Sequence, residues 1–152
     1  MDHSIKAGEL FLTGANCSQA VVLAFEDLTG LDRTTALKLS SAFGGGIGRM
    51  REVCGAVSGM FMVMGLLYGY TEPGEKDCNK KALYKDVQVL ADQFREEVGS
   101  IICRDILKNP PSDPTPTPRD AEFYKVRPCA RMVMTAARIL DKYIAEHPLE
   151  NI

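Results

Sequence analysis

The sequence predicts an all-α fold, a single-domain helical bundle with amphipathic helices packed around a central apolar helix at about 54–70. Three observations carry this. Apolar residues recur at helical spacing in one segment after another, and no stretch alternates with a period of two for long enough to suggest a sheet. The breaks between segments hold helix caps and helix stops. The uncharged run from Val53 to Thr71 supplies an element that the amphipathic segments can cover. A chain of 152 residues with 45% hydrophobic and 25% charged content is large and apolar enough to bury a core as one domain.

The elements follow in order. Ile5 to Leu12 reads as a first short helix that ends at Gly14. Asn16 is a good N-cap for a second, in which Ala20, Val21, Ala24, Phe25 and Leu28 keep helical spacing until Gly30. Asp32 caps a third through Ala36, Leu37, Leu39 and Phe43. The cluster Gly44-Gly45-Gly46-Ile47-Gly48 then interrupts, because so many glycines are costly inside a helix or strand. The apolar helix runs from about Cys54 to Tyr70 and is closed by Pro73-Gly74. Asp77 caps a long amphipathic helix to about Val98, with Leu83, Val87, Leu90 and Phe94 as its core stripe. Ser100 caps a short helix through Leu107. Five prolines between Asn109 and Arg119 make a stiff connection within the domain. The last helix starts at Pro128, a favoured first position, and runs to about Glu146 before His147-Pro148.

Length and GxxxG spacing (Gly55 with Gly59, Gly65 with Gly69) also fit a membrane span in the apolar segment. Its modestly apolar ends, the lack of anchoring residues after it and its amphipathic neighbours favour a buried helix instead. Eighteen basic against twenty acidic residues leave a net charge of -2, with no basic stripe, so a nucleic-acid partner is not expected. The start MDHSIKAGELFLTG lacks the features of a secretory signal, and five widely spaced cysteines do not form a disulfide framework. A cytoplasmic location with free thiols is the expectation. A homodimer or a peripheral membrane association is compatible with the pattern.

The cysteines carry the functional signal. Cys17 follows the cap Asn16, Cys54 stands at the entry of the apolar helix, Cys78 follows Asp77, Cys103 follows Ser100 by three residues and Cys129 follows Pro128. All five thus fall in the first turn of a helix, where unpaired N–H groups and the helix dipole stabilise an anion and lower a thiol's pKa. Arg49 and Arg51 before Cys54, Arg104 beside Cys103, and Arg127 and Arg131 around Cys129 add positive charge. The competing reading treats the cysteines as small buried hydrophobes.

Other constellations fail. No CxxC or CxxCH is present, so a local dithiol, a zinc knuckle and covalent haem attachment are unsupported. His3 and His147 lie near the two ends, which disfavours a cysteine–histidine pair. His147 suits a helix C-terminus, where positive charge is favourable. The glycine cluster does not complete GxGxxG and no Walker lysine follows it. Met60, Met62 and Met64 read as core filler and not as a copper site, and Glu96-Glu97 as a solvated face.

The run Asn16-Cys17-Ser18-Gln19-Ala20, the glycine cluster, Cys54-Gly55-Ala56-Val57-Ser58-Gly59 and two isolated later cysteines resemble the C_GCAxxG_C_C family of redox-active proteins. The resemblance covers nearly the whole chain. It implies four characteristic cysteines, which fall on Cys17, Cys54, Cys103 and Cys129, and leaves Cys78 incidental. It implies a redox role without naming a substrate, and a redox partner protein or a transporter-associated partner.

Three readings stay open. The four thiols form a thiol–disulfide oxidoreductase or redox relay, with Cys54 or Cys17 preferred as the attacking thiolate. Alternatively, the same four bind an iron–sulfur cluster or zinc, in electron transfer or as a structural site. Their gaps of 37, 49 and 26 residues (17 to 54, 54 to 103, 103 to 129) would then require the whole fold to assemble the ligands. The third reading is a helical interaction module without catalysis. The cofactor is open between a cluster, zinc and none. Clustering of at least Cys17, Cys54 and Cys129 near the glycine cluster, with Cys78 outside it, is expected of both redox readings.

Overall fold

The computed structural model describes residues 2–71 and 77–149, with the side chains of residues 77 and 78 excepted. The Pro73-Gly74 stop, the capping side chain of Asp77 and the thiol of Cys78 lie outside the described residues. The described residues are mostly helical, and their one strand-like pairing is an isolated antiparallel bridge between Val53 and Ile102. The elements are α1 (His3–Leu12), α2 (Cys17–Ala24), α3 (Glu26–Thr29), α4 (Arg33–Ser41), the single turn α5 (Gly44–Ile47), α6 (Gly55–Tyr68), α7 (Asp77–Val98), α8 (Cys103–Ile106), α9 (Ala121–Val126) and α10 (Cys129–Glu146).

Local chemistry explains most boundaries. Asn16 and Gln19 form a reciprocal capping box, in which the Asn16 side chain accepts from the Gln19 N–H and Gln19 accepts from the Asn16 N–H. Asp32 caps α4 through the Thr35 N–H, and Asp2 caps α1, which therefore starts two residues before the expected Ile5. The second expected helix is two: α2 stops at Ala24, Phe25 leaves helical geometry at ψ 17°, and α3 ends at Gly30 in the left-handed conformation. The Ser100 hydroxyl accepts from the Ile102 N–H in a turn, and α8 starts at Cys103. The proline segment is followed by α9, capped by the Asp120 carboxylate, which sequence periodicity did not mark.

Helix α6 is the central element. Its Ala56, Val57, Met60, Val63 and Met64 are fully buried in one cluster with Val21 of α2, Phe25 just after it, Leu90 and Phe94 of α7, and Val133, Ala137 and Leu140 of α10. Met60 and Met64 are core residues, as expected, while Leu83 and Val87 of the α7 stripe are only partly buried. The first glycines of α6 serve packing. A Cβ on Gly59 would stand 2.9 Å from the Ser18 carbonyl oxygen and 3.0 Å from the Val21 Cβ, so α2 lies directly on this face. Among the described residues no helix is long and apolar enough to cross a membrane.

Helices α1 and α10 pack on each other, and a polar clamp joins them. The buried His3 ring makes hydrogen bonds to Asp141 at 2.6 Å and to Asp27 at 2.9 Å, and stacks on Phe25. His147 ends α10, where its ring stacks on Tyr143, as expected of a residue at a helix C-terminus.

Candidate functional site

Cys17, Cys103 and Cys129 are the first residues of α2, α8 and α10, and Cys54 is the N-cap of α6. The expectation that these four stand at helix starts therefore holds. All four are free thiols, and all four line one cavity of about 600 Å³. Cys17, Cys54 and Cys103 are buried, at 9%, 6% and 6% exposure, and Cys129 is half-buried.

The convergence has identifiable causes. The antiparallel bridge brings Cys54 and Cys103 together through the backbone: the Cys54 N–H donates to the Ile101 carbonyl at 2.7 Å, and the Cys103 N–H donates to the Glu52 carbonyl at 2.6 Å. Gly55 has no room for a Cβ, which would overlap the Cys17 sulfur and stand 2.9 Å from the Phe43 carbonyl oxygen. The glycine therefore lets α2 seat its first sulfur against the start of α6. Gly46, at φ 71°, admits Cys103 in the same way, since a Cβ there would lie 2.5 Å from the Cys103 Cβ. Ile47, Arg49 and Arg51 share the left-handed region at φ 67°, 64° and 62°. Such a conformation is costly for residues with side chains, and for a β-branched one above all. The segment 44–51 thus holds a strained path around the thiols.

The electrostatics reverse one expectation. Burial pushes the thiols of Cys17 and Cys54 up, Cys54 well above its ordinary value, and moves Cys129 from 9.0 to about 12. The Gly45 N–H beside Cys17, the Val57 and Ala56 N–H groups beside Cys54 and the Arg127 charge beside Cys129 pull the other way and are outweighed. The Cys54 side chain makes no cap hydrogen bond at the start of α6. The predicted low-pKa thiolates at helix starts are therefore corrected for these three residues: a helix N-terminus loses to desolvation when the sulfur is buried.

The arginines are divided. Arg104 points away, onto Glu52 at 2.6 Å. Arg51 is buried, at 4% exposure; its Nη1 lies 3.7 Å from the Cys103 sulfur, its Nε donates to the Pro111 carbonyl at 3.0 Å, and its Nη2 has no hydrogen-bond partner. Arg49 donates to the Asp113 carbonyl and the Thr117 hydroxyl, both at 2.8 Å, and Arg127 reaches the same hydroxyl at 3.5 Å. Arg119, which the sequence reading passed over, lies over the rings of Phe11, Phe123 and Tyr124 and donates to the Phe11 and Ala15 carbonyls. These four arginines line the cavity with the thiols. The proline segment is one of its walls, with Pro114, Pro116 and Thr117 on the lining. His3 and His147 lie elsewhere.

Among the described residues no group of three or more His, Cys, Asp or Glu side chains forms a ready metal site, although all four cysteines line the one cavity. No curated protein and no solved structure matches the chain. The profile of one family, described as "Putative redox-active protein (C_GCAxxG_C_C)", matches residues 15–143, a span that holds all four cysteines of the cavity and every element from α2 to most of α10. The chain belongs to the C_GCAxxG_C_C family of redox-active proteins.

Proposed function

We propose that the protein performs thiol–disulfide exchange in this cavity, with Cys103 as the attacking sulfur. The observation that carries the reading is the convergence of four free thiols, from four helix starts, on one cavity of small-molecule size. Cys103 is favoured over Cys54 and Cys17, the residues preferred from sequence, because the Arg51 guanidinium faces its sulfur at 3.7 Å. A cation there holds the negative charge that a sulfur carries as it attacks or is expelled. Burial keeps Cys17, Cys54 and Cys129 protonated, which suits sulfurs that act second.

The cycle balances with a substrate disulfide as the oxidant. The Cys103 sulfur attacks one sulfur of the substrate, the S–S bond breaks, and the other substrate sulfur leaves and takes up the Cys103 proton. Cys17, whose titration responds to Cys103, then attacks the mixed disulfide as it gives up its proton. The second substrate sulfur leaves with that proton, and a Cys17–Cys103 disulfide remains. Two electrons have moved from the protein to the substrate. A small dithiol that can enter the cavity returns them by the reverse exchange, and a reducing compartment such as the cytoplasm fits thiols that must be regenerated.

Single Cys→Ser variants test the assignment, with the rate of reduction of bis(hydroxyethyl) disulfide followed anaerobically. Cys103→Ser is expected to abolish the reaction, and Cys17→Ser to halt it at a mixed disulfide on Cys103 that mass spectrometry detects. An unchanged rate in Cys103→Ser would overturn the assignment.

A further inference from the structure

The charge of the cavity wall is not explained by thiol chemistry alone. Four arginines line it (Arg49, Arg51, Arg119 and Arg127), and the lining contains no Asp or Glu. Of these four, among the described residues, only Arg49 has a carboxylate at ion-pair distance, Asp113 at 4.0 Å. Arg51 is the extreme case, a guanidinium at 4% exposure with one nitrogen that has no hydrogen-bond partner. A buried cation without a counter-charge is expensive, and proteins normally supply one. The charges are also close enough to act on each other: burial and then the Arg51 charge hold Arg49 below its ordinary value, and Arg127 adds to this. The missing negative charge is therefore left to whatever enters the cavity.

We infer that the cavity is a receptor for a low-molecular-weight disulfide bearing carboxylate or sulfonate groups, whose anionic ends sit among Arg51, Arg49 and Arg127 while its S–S bond faces Cys103. This rests on the exchange reaction above and specifies its substrate class. Several observations support a small anion over a protein disulfide. The volume of about 600 Å³ lies within the range of small-ligand pockets. The reactive sulfurs are at most 9% exposed for Cys17, Cys54 and Cys103, which bars a bulky partner from direct contact. Guanidinium forks also match carboxylate and sulfonate oxygens in geometry. The apolar faces of Phe11, Phe123 and Met132 complete the lining and suit the short alkyl arms of such a compound. The electron count is that of the exchange cycle: the anionic disulfide accepts two electrons and the two protons of Cys103 and Cys17, leaves as two thiols that keep their anionic groups, and Cys103 and Cys17 become a disulfide.

Three disulfides with similar S–S bonds and different charge test this: dithiodipropionate (anionic), bis(hydroxyethyl) disulfide (neutral) and cystamine (cationic). The reduced protein is mixed with each, and thiol release is followed at low and high salt. In parallel, calorimetry measures binding of thiodipropionate, a dianion with a thioether and no S–S bond to reduce. The anionic disulfide is expected to react at least about tenfold faster than the neutral one, with the cation slowest, because charge-assisted hydrogen bonds distinguish them. Thiodipropionate is expected to bind. Arg127→Gln is expected to reduce both effects, and it avoids the fully buried Arg51, whose replacement risks the fold. Equal rates for the three disulfides together with no thiodipropionate binding would overturn the inference and leave the exchange reaction standing. Thiodipropionate binding with no reaction of any disulfide would support the anion receptor and overturn the exchange reaction. Failure of both measurements would overturn both.

Discussion

Two glycines of the central helix should respond with opposite signs to the same substitution. At Gly55 an added Cβ overlaps the Cys17 sulfur and stands 2.9 Å from the Phe43 carbonyl oxygen and 3.2 Å from the Ser18 N. Two of the three neighbours are backbone, which cannot step aside without moving α2 or the glycine segment. Overpacking of this kind costs about 1–3 kcal/mol. The helix-propensity gain of alanine, up to about 1 kcal/mol in a helix interior, is smaller at the first residue of α6 and does not offset it. At Gly65, in the interior of the same helix, nothing lies within 4 Å of the added atom, so only the propensity gain remains, about 0.5–1 kcal/mol. For a domain of this length 1 kcal/mol moves Tm by about 2–4 °C. Gly55→Ala should therefore lower Tm by about 2–12 °C, and Gly65→Ala should raise it by about 1–4 °C. Thermal unfolding followed by circular dichroism under reducing conditions reads both. A Gly55→Ala protein as stable as the parent would refute the close seating of Cys17 on α6, and destabilisation of equal size at Gly65 would show that the effect is not contact-specific.

Two further outcomes are expected. Cys129, with its pKa moved by burial to about 12, should alkylate at a rate that rises about tenfold per pH unit from pH 7 to pH 10 without levelling. Since its ordinary value is 9.0, the unfolded chain loses this proton first, so stability should fall as pH rises from about 9 to about 12. Rates measured on a variant that keeps only this cysteine check the first point, and a plateau near pH 9 would contradict it. His3→Ala should leave Asp27 and Asp141 without their shared partner and release α1 from α10. A loss of about 1–3 kcal/mol is expected in urea unfolding. A change below a few tenths would show that the clamp does not hold the helices.

Much of the architecture was legible because it is written locally. Asn16 with Gln19, Asp32 and Pro128 mark helix starts through side-chain chemistry a few residues long, and the uncharged run from Val53 marks the core helix through its composition. The same local signals placed Cys17, Cys54, Cys103 and Cys129 at helix starts. What they could not convey was burial. A helix N-terminus is visible in sequence and a desolvated sulfur is not, which is why the sign of the pKa shift was reversed at Cys17, Cys54 and Cys129. Short elements escaped for a related reason. Six residues from Ala121 to Val126 hold too few turns to show a period, and the break at Phe25 falls where apolar spacing continues across it. The charge of the cavity was hidden by distance along the chain, because Arg49, Arg51, Arg119 and Arg127 look unrelated until the proline segment folds back onto the glycine segment. That segment, which reads as a spacer, supplies the carbonyls of Pro111 and Asp113 that hold two of the four.

The pairing of α1 with α10 has a consequence for how the protein comes into being. During vectorial synthesis Cys17 and Cys54 leave the ribosome before α10 exists, yet the core that buries them needs Val133, Ala137 and Leu140 of that helix. Contacts between residues so far apart in sequence close late, after their loop entropy has been met. Until then the nascent chain presents naked thiols to every oxidant and soft metal nearby. Protection of the sulfurs and selection of what reaches them thus begin at one moment, when the last helix docks. Maturation of this protein is accordingly a race between chain completion and adventitious chemistry at these cysteines.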